Sequence, residues 1–307
     1  MTEAPPLRDE GPADSPAEKR HFPARLLEFF FFPLVIVAVA AGVFVLFGLI
    51  TAEGKTPRDY VGLIRSGDSN RRWQAAFELS KVIGAGKDAR AQDPRLVGDM
   101  ASLFKDAEGD DPRVRRFLAL AMGRLGDAGA VPVLLEYVRG VRRGEGTDPE
   151  THVYAVWALG AIGDADAVPD LVALASHEDA GLRKTAVHAL GVFPSPEATA
   201  ALEGALADPV GDVRWNAAAA LARRGRASAV PVLEQMLDRG ELSRSEGVTV
   251  DQTEEILLQA VAAAALLADA RLEARLTALG DGDPSLKVRA AARRCLEQVY
   301  HLQAKGS

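Results

Sequence analysis

DPVGDVRWNAAAALARRG, from Asp208 to Gly225, decides the fold. An acidic turn leads into Val213-Arg214, and an alanine-rich run follows, with Ala217, Ala218 and Leu221 three, four and seven residues beyond the arginine. Those spacings place the three side chains on one face of a helix. The register recurs. Arg72 precedes Ala75, Ala76 and Leu79; Arg115 precedes Leu118, Ala119 and Met122; Arg183 precedes Ala186, Val187 and Leu190. Arg289 precedes Ala292, Arg293 and Leu296, while His152 and Gln259 take the arginine place before Ala155, Val156, Leu159 and before Ala262, Ala263, Leu266. The anchors are separated by 43, 37, 31, 31, 45 and 30 residues. A unit of about thirty residues that repeats with insertions is the mark of an all-α solenoid of stacked helix pairs. Seven anchors predict about seven units.

Each predicted second helix has a first helix before it, starting near Pro57, Pro94, Ala128, Ala165, Pro196, Ser228 and Ala270. Thr56-Pro57-Arg58-Asp59 carries a Thr cap, proline at the first helical position and an acid at the third. Acidic turns such as Asp110-Asp111-Pro112, His177-Glu178-Asp179 and Gly282-Asp283-Pro284 join the pairs, and Gly126, Gly163 and Gly225 stand where helix C-caps belong. No stretch alternates with period two for long enough to predict a strand. This bipartite pattern, with the turn Asp and V/L-R-x-x-A-x-x-A-L in several copies, resembles the bacterial HEAT repeats of the phycocyanobilin-lyase-like kind over roughly residues 57–300. The resemblance implies a right-handed superhelix serving as a scaffold for protein contacts. Some relatives of that family assist bilin attachment and others act on damaged DNA. A lyase-like chaperone subunit is therefore one alternative, while the acidic balance speaks against nucleic acid.

Outside the repeats the chain changes character. Residues 1–25 hold five prolines and charges of both signs with few apolar side chains, a composition that predicts a disordered tail. Residues 302–307 form a short tail at the other end. The run Phe29–Ile50, FFFFPLVIVAVAAGVFVLFGLI, is apolar throughout. At the helical rise it reaches about 33 Å, enough to cross a bilayer core of about 30 Å. A single transmembrane helix over 26–50 follows, joined by a linker, 51–56, to a solenoid over 57–301. Ala38-Val39-Ala40 has the form of a signal-peptidase site, but ten apolar residues follow it, which favours an uncleaved anchor. Basic residues flank both ends of the run. Lys19, Arg20 and Arg25, with Arg8, favour a cytoplasmic N-terminus and a periplasmic solenoid at a bacterial inner membrane.

The formal net charge of −7 lacks the clustered positive charge that nucleic-acid phosphates require. Cys295 is the one cysteine, so no internal disulfide forms and the thiol is expected to pack as a small hydrophobe. The histidines 21, 152, 177, 188 and 301 form no metal motif, and no nucleophile elbow, phosphate loop or dinucleotide fingerprint is present. No catalytic, metal or cofactor residues are predicted. The expected function is a non-enzymatic adaptor, with an accessory subunit of a membrane enzyme or transporter as the alternative. If the anchor and its +3, +4 and +7 positions face the core, then +1, +2, +5 and +6 face away. That set holds all three tryptophans, and Trp73, Phe77, Phe117, Tyr154, Trp157, His188 and Trp215 become the candidate partner-binding residues. The insertions Gly140–Asp148 and Arg239–Asp251 add two longer loops on one edge.

Overall fold

The computed structural model describes residues 33–45, 55–85, 93–143, 148–245 and 247–300. The chain divides into two units, Met1–Gly54 and Lys55–Ser307. The first contains helix α1, residues 33–45, whose side chains are all exposed. The rest of the expected membrane span, and both expected tails, lie outside the described residues. Among the described residues no helix is long and apolar enough to cross a membrane.

The second unit is all helical among the described residues, with seven successive pairs. These are α2 (Pro57–Ser66) with α3 (Ser69–Gly84), α4 (Leu96–Asp106) with α5 (Pro112–Leu125), and α6 (Val131–Arg142) with α7 (Pro149–Ile162). Then come α8 (Val168–Leu174) with α9 (Ala180–Leu190) and α10 (Pro196–Ala205) with α11 (Gly211–Arg223). In the sixth pair α12 (Val230–Met236) is followed by the single turn α13 (Arg239–Leu242) inside the insertion, then by α14 (Val250–Leu267); α15 (Glu273–Gly282) with α16 (Leu286–Cys295) closes the array. The predicted punctuation forms. Thr56 and Asp59 make a reciprocal capping box, Asp68, Asp111, Asp148 and Asp179 cap the second helices α3, α5, α7 and α9, and proline opens α2, α5, α7 and α10.

The second helices α3, α5, α7, α9, α11, α14 and α16 pack on one another along the array more extensively than the first helices do, so they form its inner layer. Their predicted core positions are buried in the units of Arg72, Arg115, His152, Arg183 and Arg214. Three readings need correction. Position +6 does not face away: Ala121, Ala158, Ala189, Ala220 and Cys295 are buried, because each second helix is flanked by others and this position meets the neighbour. Gln259 is not an anchor, since Ala262 is exposed and Leu266 is 62% exposed. The left-handed helix caps Gly126, Gly163 and Gly225 lie eleven residues past their anchors, and the corresponding cap Ala268 places the sixth anchor at buried Leu257. The steps from Arg214 to Leu257 and on to Arg289 are then 43 and 32 residues. Arg293 is exposed at a position that is buried elsewhere, its guanidinium donating to the Gly280 carbonyl at 2.7 Å.

Successive inner helices approach closely where a residue has no side chain. A Cβ placed on Gly160 of α7 would lie 2.5 Å from the Ala189 Cβ and 2.8 Å from its Cα on α9. On Gly123 of α5 it would lie 2.8 Å from the Ala158 Cα on α7. Gly160→Val should therefore lower stability by about 3 kcal/mol through overpacking against backbone. An unchanged thermal midpoint would show that the helices separate freely. The cap at Ala268 is the opposite case, an alanine at φ 53° where three other units use glycine. Ala268→Gly should raise stability by about 1 kcal/mol, read as a higher urea midpoint, by relieving left-handed strain.

The anchor arginines tie turns to helices. Arg115 donates to the Phe104 carbonyl at 2.9 Å and Arg214 to the Asp208 and Pro209 carbonyls at 2.6 and 3.0 Å. Arg183 donates to the His177 and Glu178 carbonyls and, bidentately, to Asp208 of the next unit at 2.7 and 3.1 Å. Burial pushes the Asp208 carboxyl up, but hydrogen bonds from Arg183 and the Val210 N–H together with the Arg183 and Arg214 charges hold it below the ordinary range. Asp179 and Asp212 do other work: Asp179 caps α9 and Asp212 accepts from Lys184 at 2.7 Å. His152 is too short to copy an arginine. Its ring is buried 5.5 Å from Tyr137, and its Nε2 has no hydrogen-bond partner among the described residues. Burial lowers its pKa, with the Asp148 charge pulling part of the way back. The unfolded chain thus binds a proton more readily than the native one, and stability falls as pH drops through the ordinary histidine value near 6.5. Urea midpoints between pH 7.5 and 5.5 should drop less for His152→Gln than for wild type; equal slopes would remove His152 as the cause.

Candidate partner-binding face

The inner helices present their +1, +2 and +5 positions to one groove. Its amino-terminal part is a ring cluster: Phe77 lies 5.0 Å and Trp73 6.4 Å from Phe117, between centroids. Phe77 is 37% exposed, and Trp73 and Phe117 are half-buried. Cations cover two of the rings, the Arg113 guanidinium 4.1 Å above Trp73 and the Lys81 ammonium 5.2 Å above Phe77. The Trp73 indole N–H is already used, donating to Asn70 at 2.8 Å.

A second group gathers around Trp157. Leu120 of α5, Val153, Tyr154 and Trp157 of α7, Thr185 and His188 of α9 and Asn216 of α11 line a pocket of about 470 Å³. Its surface is mainly apolar, and no carboxylate lines it. The Trp157 ring lies over the missing side chain of Gly123, where a Cβ would come within 2.7 Å of it. Glycine at the seam thus also makes room for the aromatic floor. Neither the Tyr154 hydroxyl, the Trp157 N–H nor the His188 ring has a hydrogen-bond partner among the described residues. The arrangement offers apolar contact area with a few unfilled polar groups, the composition of a recognition site.

Trp215 does not join the strip. It is 7% exposed, contrary to the expectation of a partly accessible residue. Gly211, one turn earlier on α11, leaves space into which the indole folds; a Cβ there would lie 2.8 Å from the ring. The tryptophan forms part of the wall of a larger cleft, about 810 Å³, between α11 and α14. Ser245, Gly247 and Val248 from the second insertion line the opposite side, with Gln252, Glu255 and Gln259 of α14. The insertion is thus built into the inner face, and its extra length was the only sequence signal for that cleft. The two spaces share Lys184 and Asn216 and so adjoin. Cys295 is buried, as expected of a packed thiol. Among the described residues no group of acids, histidines or cysteines could hold a metal ion.

With this geometry in place, the family comparison is specific. Residues 144–222 match the model of HEAT repeats, and residues 114–140 and 213–239 match that of the PBS lyase HEAT-like repeat. These stretches are HEAT repeats, and the flanking helix pairs continue the same architecture. The complex of CpcE and CpcF of phycocyanin lyase from Nostoc sp. PCC7120 is similar at 18% identity, over 80% of this chain and 89% of that one, with a TM-score of 0.52. Human deoxyhypusine hydroxylase in complex with glycerol is 18% identical over 80% of this chain and 96% of that one, with a TM-score of 0.33. At 18% identity the likeness to the lyase complex is one of fold. No curated protein matches the chain.

Trp215→Ala should act on the fold and not on recognition. Removing a buried indole costs about 3–5 kcal/mol, so its thermal midpoint should fall steeply. A midpoint near wild type would return Trp215 to the accessible strip.

Proposed function

We propose that this protein is a non-enzymatic HEAT-repeat adaptor that holds a protein partner in its inner groove and is anchored to a membrane by the apolar run 26–50. The observation that carries the reading is the pocket around Trp157: half-buried aromatic side chains, no lining carboxylate, and polar groups left unpaired. An ordinary solvated helix face would be rich in Lys and Glu; these positions are not. The similar lyase structure is itself a complex of two chains, which supports a surface made for protein contacts. The anchor rests on the length and apolarity of the sequence run, with the exposed side chains of α1 as support. The flanking charges favour a periplasmic solenoid at a bacterial inner membrane.

A second reading, an accessory subunit of a membrane enzyme or transporter, is favoured by one feature of α1. Nothing lies within 4 Å of where a Gly42 side chain would begin, so with Ala38 it offers a small-residue face to another membrane helix.

One experiment addresses these readings together: affinity capture by the full-length chain from its native membranes after an alkaline wash. Retention in the washed membrane is expected of an anchored protein, and release into the wash removes the anchor. Trp157→Ala should reduce partner capture at least about thirtyfold, as for an aromatic anchor worth about 2 kcal/mol, while leaving the thermal midpoint within a few degrees. Gly42→Leu should leave capture intact. Loss of the partner with Gly42→Leu and not with Trp157→Ala would favour the accessory-subunit reading.

A further inference from the structure

The two adjoining pockets differ in their polar lining as well as in their apolar floor. The +2 position of successive inner helices holds Tyr154 on α7, Thr185 on α9, Asn216 on α11 and Gln259 on α14, so one polar side chain faces the groove at each step. Asn216 spends one amide N–H on the Asp212 carbonyl at 2.7 Å, leaving its side-chain oxygen as an acceptor and its second N–H as a donor. The exposed Gln259 amide has no partner among the described residues, and neither has the Trp157 N–H or the Tyr154 hydroxyl. Together these groups offer both donors and acceptors without charge. That is the complement of a peptide main chain, which presents an N–H and a C=O at every residue. A helical partner satisfies its own backbone and would leave these groups unmatched. An extended segment would use them.

Charge adds a direction. Of the two carboxylates in the cleft, Asp212 is paired with Lys184, whereas Glu255 has no partner among the described residues. Around Trp157 there is no carboxylate, and the one charged residue, Lys184, is the one already paired. The groove therefore has an apolar end and an end where Glu255 is the carboxylate without a partner, the cleft's Arg214 being held on the Asp208 and Pro209 carbonyls.

We propose, building on the adaptor reading, that the groove receives an extended peptide segment crossing α7, α9, α11 and α14, with an apolar side chain over Trp157 and a basic one facing Glu255. Neighbouring helices spaced about 8–10 Å apart set the crossing at about 25–30 Å, or about eight residues of extended chain. The second insertion walls the end that holds Glu255, where Ser245, Gly247 and Val248 confine the chain to the cleft.

The test is selection of random linear twelve-residue peptides, displayed on phage, against the full-length protein in nanodiscs. Binding of the enriched peptides is then measured by fluorescence anisotropy. Enriched sequences should pair an aromatic or aliphatic residue with Lys or Arg several positions away. Tyr154→Phe, which removes only a hydroxyl, should weaken them about three- to tenfold, and Glu255→Lys should shift selection from basic to acidic residues. Peptides that bind both variants as tightly as wild type would overturn the proposal. So would a failure to enrich any linear peptide while the captured membrane partner still depends on Trp157; in that case the adaptor reading stands and the occupant is a folded surface. If neither peptides nor the partner depend on Trp157, both readings fall.

Discussion

The close approach of successive inner helices governs this structure. Where Gly123 and Gly160 sit, the next helix comes within backbone contact distance, closer than any side chain allows. Alanine at +6 continues the same seam, at Ala121, Ala158, Ala189 and Ala220. Dispersion contacts between surfaces this close are individually weak and numerous, and the seam collects them along the array. Inner helices that pack more tightly than the outer ones leave a face that nothing in the unit covers. The groove is a geometric consequence of the seam.

What occupies that face is then a matter of side-chain size against available space. Trp157 spreads over the hollow left by Gly123 and stays half-buried, with one edge available. Trp215 meets a hollow in its own helix at Gly211 and folds into it almost completely. Two tryptophans on the same array thus divide between the groove and the core. The deciding difference is whether the glycine lies on the neighbouring helix or one turn back on the same one.

The architecture was legible in the sequence because a repeated register is a redundant signal. A misplaced anchor at Gln259 could not hide seven units, and the helix caps at glycines 126, 163 and 225 follow from local chemistry alone. The errors arose where one unit's environment depends on the next. Position +6 looked solvent-facing on an isolated helix but meets a neighbour. Arg293 looked like a core position because its register matches the others, whereas its guanidinium reaches out to the Gly280 carbonyl. That Tyr154, Trp157 and His188 line the inner groove was legible because an aromatic residue on a non-core face stands out against an expected Lys/Glu surface. The cleft between α11 and α14 was not found, because a longer loop in the sequence carries no information about which way it folds.

Ion pairs between units bear on how such a groove stays open. Arg116 reaches Asp148, Arg183 reaches Asp208 and Arg239 reaches Asp283, each from one helix pair to the next. Asp283 is almost wholly buried, and Arg239 meets both its oxygens at 2.7 and 2.9 Å. A bidentate pair of this kind is directional, so it fixes the rotation of one unit on the next in a way apolar packing alone does not. In an array whose stability is a sum of neighbour interfaces, fraying starts at the ends. The groove from α5 to α14 lies on inner helices that each have a neighbour on both sides. A floor built there keeps its shape while the terminal units open, which is the condition a preformed binding surface requires to avoid paying ordering entropy on association.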